Sequence, residues 1–280
     1  MEKRSKICVD PLNPLFPNIH NIKIAFFDVD GTLVDFQHDT PSNSTLTAIR
    51  ELKNKGIITC ICSGRHILDV RVLNLPDFDG YITTNGACVE LNGKTLSKKY
   101  IPCEDMERLI AYQQGEHRFP CIIETKDRSV LNFSDQWVEF LHKELIIRTP
   151  ELVSLEEWID VARQGVEQML GFFPGEKDEE FLREILPGSA IKRWCSYFTD
   201  IVEKSCDKAS AIDVVLEHLN LKPENAIAFG DGGNDIDMLR HVGFGIAMGN
   251  AKADVKAAAD YVTDNVDADG IFNAVKWMNI

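Results

Sequence analysis

The hydrophobic residues of this chain fall in short dense runs, separated by polar stretches in which apolar positions recur at helical spacing. The run over 22–27, Ile-Lys-Ile-Ala-Phe-Phe, reads as a strand buried on both faces, as in a parallel sheet. It breaks at Asp28-Val29-Asp30-Gly31. Apolar spacing over 45–52 predicts a helix, and Gly56 suits its end. A second buried strand over 57–62 runs into Ser63-Gly64-Arg65, with a helix from about 66. A third strand over 81–84 ends at Asn85-Gly86-Ala87. Strands alternating with helices predict an α/β fold with a doubly wound parallel sheet.

The rhythm changes at 87. Residues 87–100 read as a hairpin turning at Asn92-Gly93, and 104–113 as a helix. Residues 121–125 and 130–133 read as a strand pair, followed by a helix over 155–163, a strand over 166–172, a helix over 178–186 and a strand over 190–194. Hairpins with helices beside them predict an inserted α+β unit. The α/β rhythm resumes near Phe198: a helix over 209–219, a buried strand over 226–230, a Gly-rich acidic turn over 231–235 and a helix over 236–241. Segments 245–249, 253–259 and 261–263 close the sheet. The expected organisation is an irregular, Pro-containing arm over 1–20, a core over 21–86 and 196–280, and an inserted domain over 87–195.

Composition narrows the function classes. The 280 residues are 44% hydrophobic and 26% charged, as in ordinary soluble globular proteins. A net charge of −14 argues against binding nucleic acid or an anionic membrane through a broad basic surface. It leaves room for an anionic small substrate, because a local metal reverses the field of a site. No run approaches the length of a membrane helix, and no secretory signal is evident; the expected location is the cytoplasm. The eight cysteines include no Cys-x-x-Cys pair, and several lie in apolar runs, as in Thr59-Cys60-Ile61-Cys62, and read as small buried hydrophobes.

Four pieces carry candidate chemistry. Asp28 and Asp30 sit at the carboxyl end of a central strand, where open α/β sheets place their ligands. Residues i and i+2 of a strand point the same way, and two carboxylates about 4 Å apart repel by roughly 4 kcal/mol at an effective dielectric near 20. A hard divalent cation, Mg²⁺, relieves that repulsion; a solvated polar strand end is the alternative. Ser63 and Gly64 precede a helix and form either an anion site or a helix cap. Lys208 stands in the first turn of a helix, against the macrodipole, and is either an anion ligand or a solvated surface lysine. In Gly230-Asp231-Gly232-Gly233-Asn234-Asp235, glycine lets the backbone approach a ligand. There Asp231 offers a third metal carboxylate, Asn234 a donor to phosphate, and Asp235 an acceptor for backbone or Lys208 hydrogen bonds.

In this order and spacing the four pieces resemble the motifs of the haloacid dehalogenase superfamily of phosphotransferases, over about residues 22–280. The insertion, the loop at Asn85-Gly86 and the ending Val266-Asp267-Ala268-Asp269-Gly270-Ile271 are similar to its Cof-type, class IIB branch, which carries a C2-type α/β cap. The departures are Ala209 where Gly usually follows the motif lysine, and the longer N-terminal arm. The resemblance implies Asp28 as nucleophile and Asp30 as general acid/base. It implies Mg²⁺ held by Asp28, Asp30 (in the family through its backbone carbonyl) and Asp231, with Asp235 behind them. Val29, Ser63, Gly64, Lys208 and Asn234 would hold the phosphoryl group, and Asn85 and Gly86 a substrate loop. The implied activity is hydrolysis of small phosphorylated metabolites, sugar phosphates foremost, by a monomer or weak homo-oligomer. A phosphotransferase or mutase, or a protein that only binds a phosphometabolite, are the alternatives.

Other motifs fail on their own terms. Gly230-Asp231-Gly232 opens a dinucleotide fingerprint but has Asp235 in place of its last Gly. Asn92-Gly93-Lys94-Thr95 ends like a P-loop, with Cys88 where the first Gly is needed. Residues 265–270 open like a Ca²⁺ loop, with Lys276 where Glu is required. The histidines show no zinc spacing.

Overall fold

The first apolar run becomes β1 (Ile24–Phe27), the middle of an eight-stranded sheet in a computed structural model that describes residues 21–36, 38–144, 148–173, 175, 180–193 and 197–279. The arm expected over 1–20 and the boundary at 195/196 lie outside the described residues. Strands β14 (Tyr261–Val262), β13 (Phe244–Ala247), β12 (Ala226–Gly230), β1, β2 (Ile58–Cys62) and β3 (Gly80–Thr83) run parallel in that order. Helices α1 (Asn43–Asn54) and α10 (Gly270–Trp277) cover one face; α7 (Lys208–His218), α8 (Ile236–His241) and α9 (Ala253–Ala258) cover the other. Ala25 and Phe27 point to the first layer, Ile24 and Phe26 to the second, and all four are fully buried. That two-sided burial is why the run is apolar at every position instead of alternating. Phe27 stacks on Phe229 of β12 with centroids 5.0 Å apart, tying the strands whose carboxyl ends carry Asp28 and Asp231.

The inserted unit is a second sheet, ordered β10 (Ser189–Lys192), β11 (Phe198–Glu203), β9 (Gln168–Phe172), β6 (Cys121–Glu124), β7 (Ser129–Leu131), β8 (Glu151–Leu152). Helices α3 (Cys103–Gln113), α5 (Leu155–Ala162) and α6 (Leu182–Ile185) pack on one face against Cys121, Ile123, Met169 and Ile201. The buried Trp158 indole there donates to the Cys121 carbonyl at 3.1 Å. The alternate residues point the other way. Helix α4 (Gln136–Glu144) covers an apolar part of that second face at Ile122, Leu131, Phe172 and Phe198.

Several placements differ from the expectations. The hairpin β4 (Cys88–Leu91) and β5 (Lys94–Lys98), expected to open the inserted domain at 87, is hydrogen-bonded to β3 and extends the core sheet. Val89 and Leu91 bury into the core layer, which favours that edge over the separate unit. β11, expected with the core from 196 onward, lies inside the second sheet between β10 and β9. The chain therefore crosses between the sheets near 99–101 and 203–207, where Lys99 Nζ bonds the Ser205 hydroxyl at 3.0 Å and ties the two crossings together. The helix expected from about 66 is a single turn, α2 (Ile67–Val70). Helices α4 and α10 and strand β8 were not expected.

His66 caps α2, accepting from the Leu68 amide at 3.3 Å, and is 1% exposed. Burial first, then the cations of Arg148 and Lys98, push its pKa down to about 4, against a weak opposite pull from the Thr125 backbone. Arg71 adds repulsion, and Glu167 stands 3.8 Å from its Nε2. The folded state thus binds fewer protons than the unfolded state between about pH 4 and 6.5. Its share of stability is complete above pH 6.5 and is lost as pH falls toward 4, by up to about 3 kcal/mol. Urea denaturation across this range should show a smaller decline in His66→Gln than in the wild type; equal declines would refute the assignment.

Candidate active site

β1 ends one residue before Asp28, whose amide still donates to Phe229 O at 3.0 Å. The chain then turns sharply: the Val29 carbonyl accepts from Leu33 and Val34 at 2.9 and 3.0 Å, and Gly31 N donates to Val34 O at 2.7 Å. Gly31 has φ +77°, and a Cβ there would lie 2.2 Å from Asp231 Oδ2. Glycine is required twice over, for its backbone conformation and for the carboxylate pressed against it. Val29 is fully buried in this turn.

Asp28 and Asp30 have left the strand, so the parallel side chains expected of positions i and i+2 do not apply. Arg65 holds Asp30 bidentately, Nε to Oδ2 and Nη2 to Oδ1, both at 2.7 Å. The acidic oxygens that converge within 4.8 Å of one another belong to Asp28, Asp231 and Asp235. Of the expected metal set, the carboxylates of Asp28 and Asp231 converge, while the Asp30 side chain is balanced by Arg65, in keeping with a resemblance that gives Asp30 to the metal through its backbone carbonyl. Asp235 is also committed elsewhere. Its Oδ1 accepts from Lys208 Nζ at 2.6 Å, and its Oδ2 from the amides of Asp231 and Gly232 at 3.0 and 2.8 Å. A Cβ on Gly230 would lie 2.6 Å from the Asp235 carboxyl carbon.

Lys208 is 1% exposed, which excludes the solvated surface lysine. The N-cap Asp207, accepting from Ser210 N at 2.8 Å, starts α7 so that Lys208 is its first residue. Its Nζ reaches Asp28 Oδ1 at 2.7 Å as well as Asp235. Burial opposes the charged lysine, but Asp235 and Asp28 outweigh it and hold the pKa above the usual lysine value. Burial and then Asp235 push the Asp28 carboxyl well up, against the pull of Lys208. Burial and Asp235 likewise bring Asp231 to about 7.

Ser63 is buried, and its Oγ accepts from the Arg65 amide at 3.1 Å. Asn234 Nδ2 donates to Asn85 Oδ1 at 3.1 Å, and Asn85 Nδ2 donates to Asp200 Oδ2 on β11 at 3.1 Å. A hydrogen-bond chain therefore runs from the acidic turn to the inserted sheet. Thr84 and Asn85 both have φ near +52°, and a Cβ on Gly86 would lie 2.5 Å from Asp207 O. The 84–86 loop is pressed against the start of α7. These groups open on a cavity of about 690 Å³ whose far wall is the second face of the inserted sheet, including Glu124, Gln168 and Asp200.

A family model for haloacid dehalogenase-like hydrolases matches residues 25–275. The chain belongs to this family. YkrA of Bacillus subtilis (strain 168) is 32% identical over 262 residues, 92% of this chain and 98% of YkrA. An HMP-PP phosphatase of Escherichia fergusonii is 31% identical over 252 residues, 84% of this chain and 87% of that protein. The structure of BT4131, a haloacid dehalogenase subclass IIB sugar phosphatase, is 35% identical with a TM-score of 0.80, covering 92% of this chain and 99% of the other. The phosphatase BT1666 of Bacteroides thetaiotaomicron is 30% identical with a TM-score of 0.82, covering 97% and 98%. The likeness falls in the Cof-type, subclass IIB branch, so the inserted sheet is this hydrolase's cap.

The donor set of this haloacid dehalogenase-type hydrolase fits a hard divalent ion. Three carboxylates converge, burial disfavours ionisation of Asp28 and Asp231, and Lys208 is the one cation bonded to the cluster among the described residues. Asp28 and Asp231, which unlike Asp235 do not cradle backbone amides, are the members that would turn an oxygen to Mg²⁺. Asp231 is aimed by the Thr32 hydroxyl at 2.8 Å and by Asn250 Nδ2 at 3.2 Å. Arg65 stands inside the quoted Ser63-Gly64-Arg65, and Thr32 directly follows Asp28-Val29-Asp30-Gly31, but neither drew a role from the sequence. Asn250 follows Met248-Gly249 in a turn with no chemical signal of its own.

Two substitutions probe this arrangement. Gly31→Ala should lower stability by about 1–3 kcal/mol through strain and weaken Mg²⁺ binding, as read by urea denaturation and calorimetry. Lys208→Met leaves two buried carboxylates without their cation and should cost about 3–5 kcal/mol in metal-free protein, with part of the loss recovered on adding Mg²⁺.

Proposed function

We propose that this haloacid dehalogenase-type hydrolase is a Mg²⁺-dependent phosphatase of small phosphorylated metabolites, acting through an aspartyl phosphate on Asp28. The observation that carries the reading is the Asp28 carboxylate, bonded to buried Lys208 at the floor of a cavity walled by the cap. The named activities of the relatives, on HMP-PP and on sugar phosphates, support a small phosphorylated substrate.

An Asp28 oxygen attacks phosphorus, forming the aspartyl phosphate as the bond to the leaving oxygen breaks. Asp30, held in place by Arg65, gives the leaving oxygen its proton and then takes one from the water that hydrolyses the intermediate. Lys208, Ser63, Asn234 and the amides of Val29 and Gly64 supply donors to the phosphoryl oxygens. Asp28 and Asp231, with the Asp30 backbone carbonyl that the family resemblance implies, would hold Mg²⁺, which would supply positive charge to offset the negative charge developing on the phosphoryl group. The cap excludes water and surrounds the leaving group.

Phosphate release from p-nitrophenyl phosphate, with Mg²⁺ and with EDTA, tests this. Release should need Mg²⁺ and no acceptor alcohol, and Asp28→Asn should lower kcat on the order of 10³-fold or more with its melting temperature near wild type. Wild-type-like turnover in that variant would sink the reading. Turnover only with an added acceptor alcohol would make the protein a transferase.

A further inference from the structure

The second face of the cap sheet has an apolar half under α4 and a polar half toward the active site. In the polar half, Glu124 of β6 and Gln168 of β9 are directly opposite in register. Directly opposed residues of an antiparallel pair bring their Cβ atoms to about 4.5–5.5 Å. Both side chains are 3% exposed, and both line the cavity. Each has one end fixed. Gln168 Nε2 donates to Gly64 O at 3.2 Å, and Glu124 shares a hydrogen bond with the Asp69 carboxyl of α2, across the boundary between cap and core. Each also keeps one oxygen without a hydrogen-bond partner, Gln168 Oε1 and Glu124 Oε2. A buried acceptor left unsatisfied costs about 1–3 kcal/mol, so two side by side on a cavity wall call for a ligand that donates. Because Gln168 donates to Gly64, its amide orientation is determined, and the open atom is an acceptor.

We propose that Glu124 and Gln168 form a specificity-determining pair, which accepts hydrogen bonds from hydroxyl groups on neighbouring carbons of an uncharged, polyhydroxylated leaving group. The inference rests on the phosphatase reading for the term leaving group. The pair itself is a binding site that equilibrium measurement reaches without turnover. Two further features select hydroxyls. Arg148 also lines the cavity, and its buried Nε and Nη2 lack acceptors, so the ligand must both donate and accept, as a hydroxyl does. Asp200 and the Glu124–Asp69 pair line the cavity together with the cations Arg148, Lys192 and Arg193, a mixed lining that suits an uncharged polar ligand. Gln168 touches Gly64 of the phosphate loop, so one side chain sets the spacing between the phosphoryl group and the hydroxyls it reads.

The test is calorimetric binding to the Asp28→Asn protein, which separates recognition from hydrolysis. The probes are sorbitol 6-phosphate, ribitol 5-phosphate and glucose 6-phosphate, compared with hexyl phosphate and inorganic phosphate. At least one hydroxylated probe should bind tenfold or more tighter than hexyl phosphate. Adding Glu124→Ala or Gln168→Ala should cut that preference by about tenfold to a hundredfold, and Glu124→Gln, which keeps an acceptor oxygen, should restore part of it. Taking each affinity relative to inorganic phosphate removes any general loss of order in the phosphate loops. No preference for hydroxylated probes, or a preference that survives both alanine substitutions, would overturn the proposal. So would glucosamine 6-phosphate binding more than tenfold tighter than glucose 6-phosphate, which would make the recognised group an ammonium. Failure of the phosphatase reading shows separately, as absence of phosphate release from wild-type protein.

Discussion

A buried lysine organises this molecule. Lys208 is fully enclosed and charged, and removing an ammonium from water costs several kcal/mol unless carboxylates meet it. Its two partners come from different places: Asp28 from the end of β1 and Asp235 from the turn after β12. Neither contact forms unless β1 and β12 are in register and α7 starts one residue before the lysine's turn, at Asp207. The ion-pair cluster and the strand order therefore specify each other. Asp235 extends the constraint by holding two amides of its own turn, which aims Asp231 at the same point.

The charges are distributed so that each carboxylate has a different set of partners. Among the described residues, Asp30 is neutralised by Arg65, Asp235 by Lys208 and two amides, and Asp28 by Lys208 alone. Asp231 has, among the described residues, only a hydroxyl and a side-chain amide. Burial leaves Asp28 and Asp231 under-compensated, and these are the groups that a divalent cation suits. The same uneven distribution separates the paired motif aspartates. One carboxylate faces the cation cluster, and the other is held away from it by a guanidinium.

The cap is joined to this centre by polar contacts more than by shared apolar packing. Asn234, Asn85 and Asp200 form one chain across the boundary, Gln168 and Gly64 a second, and Glu124 and Asp69 a third. Polar links of this kind exchange readily with water. They suit a cap that must admit a substrate and then surround it.

Much of the core was legible in the sequence, because its strands are buried on both faces and read as uninterrupted apolar runs, and because Asp28, Ser63 and Asp231 stand where those runs end and Lys208 where a helix begins. The resemblance to the haloacid dehalogenase superfamily rested on the same residues. Helices α4 and α10 carry apolar positions at helical spacing, such as Ile271, Ala274, Val275 and Met278, but they are short and lie among turn residues. Local pattern determined which segments become strands and where acidic residues gather. Tertiary structure alone decided that the 88–98 hairpin joins the core sheet, that β11 enters the cap, that Arg65 takes Asp30 out of the carboxylate cluster, and that Glu124 and Gln168 face the cavity. Each of these depends on a partner distant in sequence, and hydrophobic periodicity encodes the burial of a residue without naming what it will be buried against.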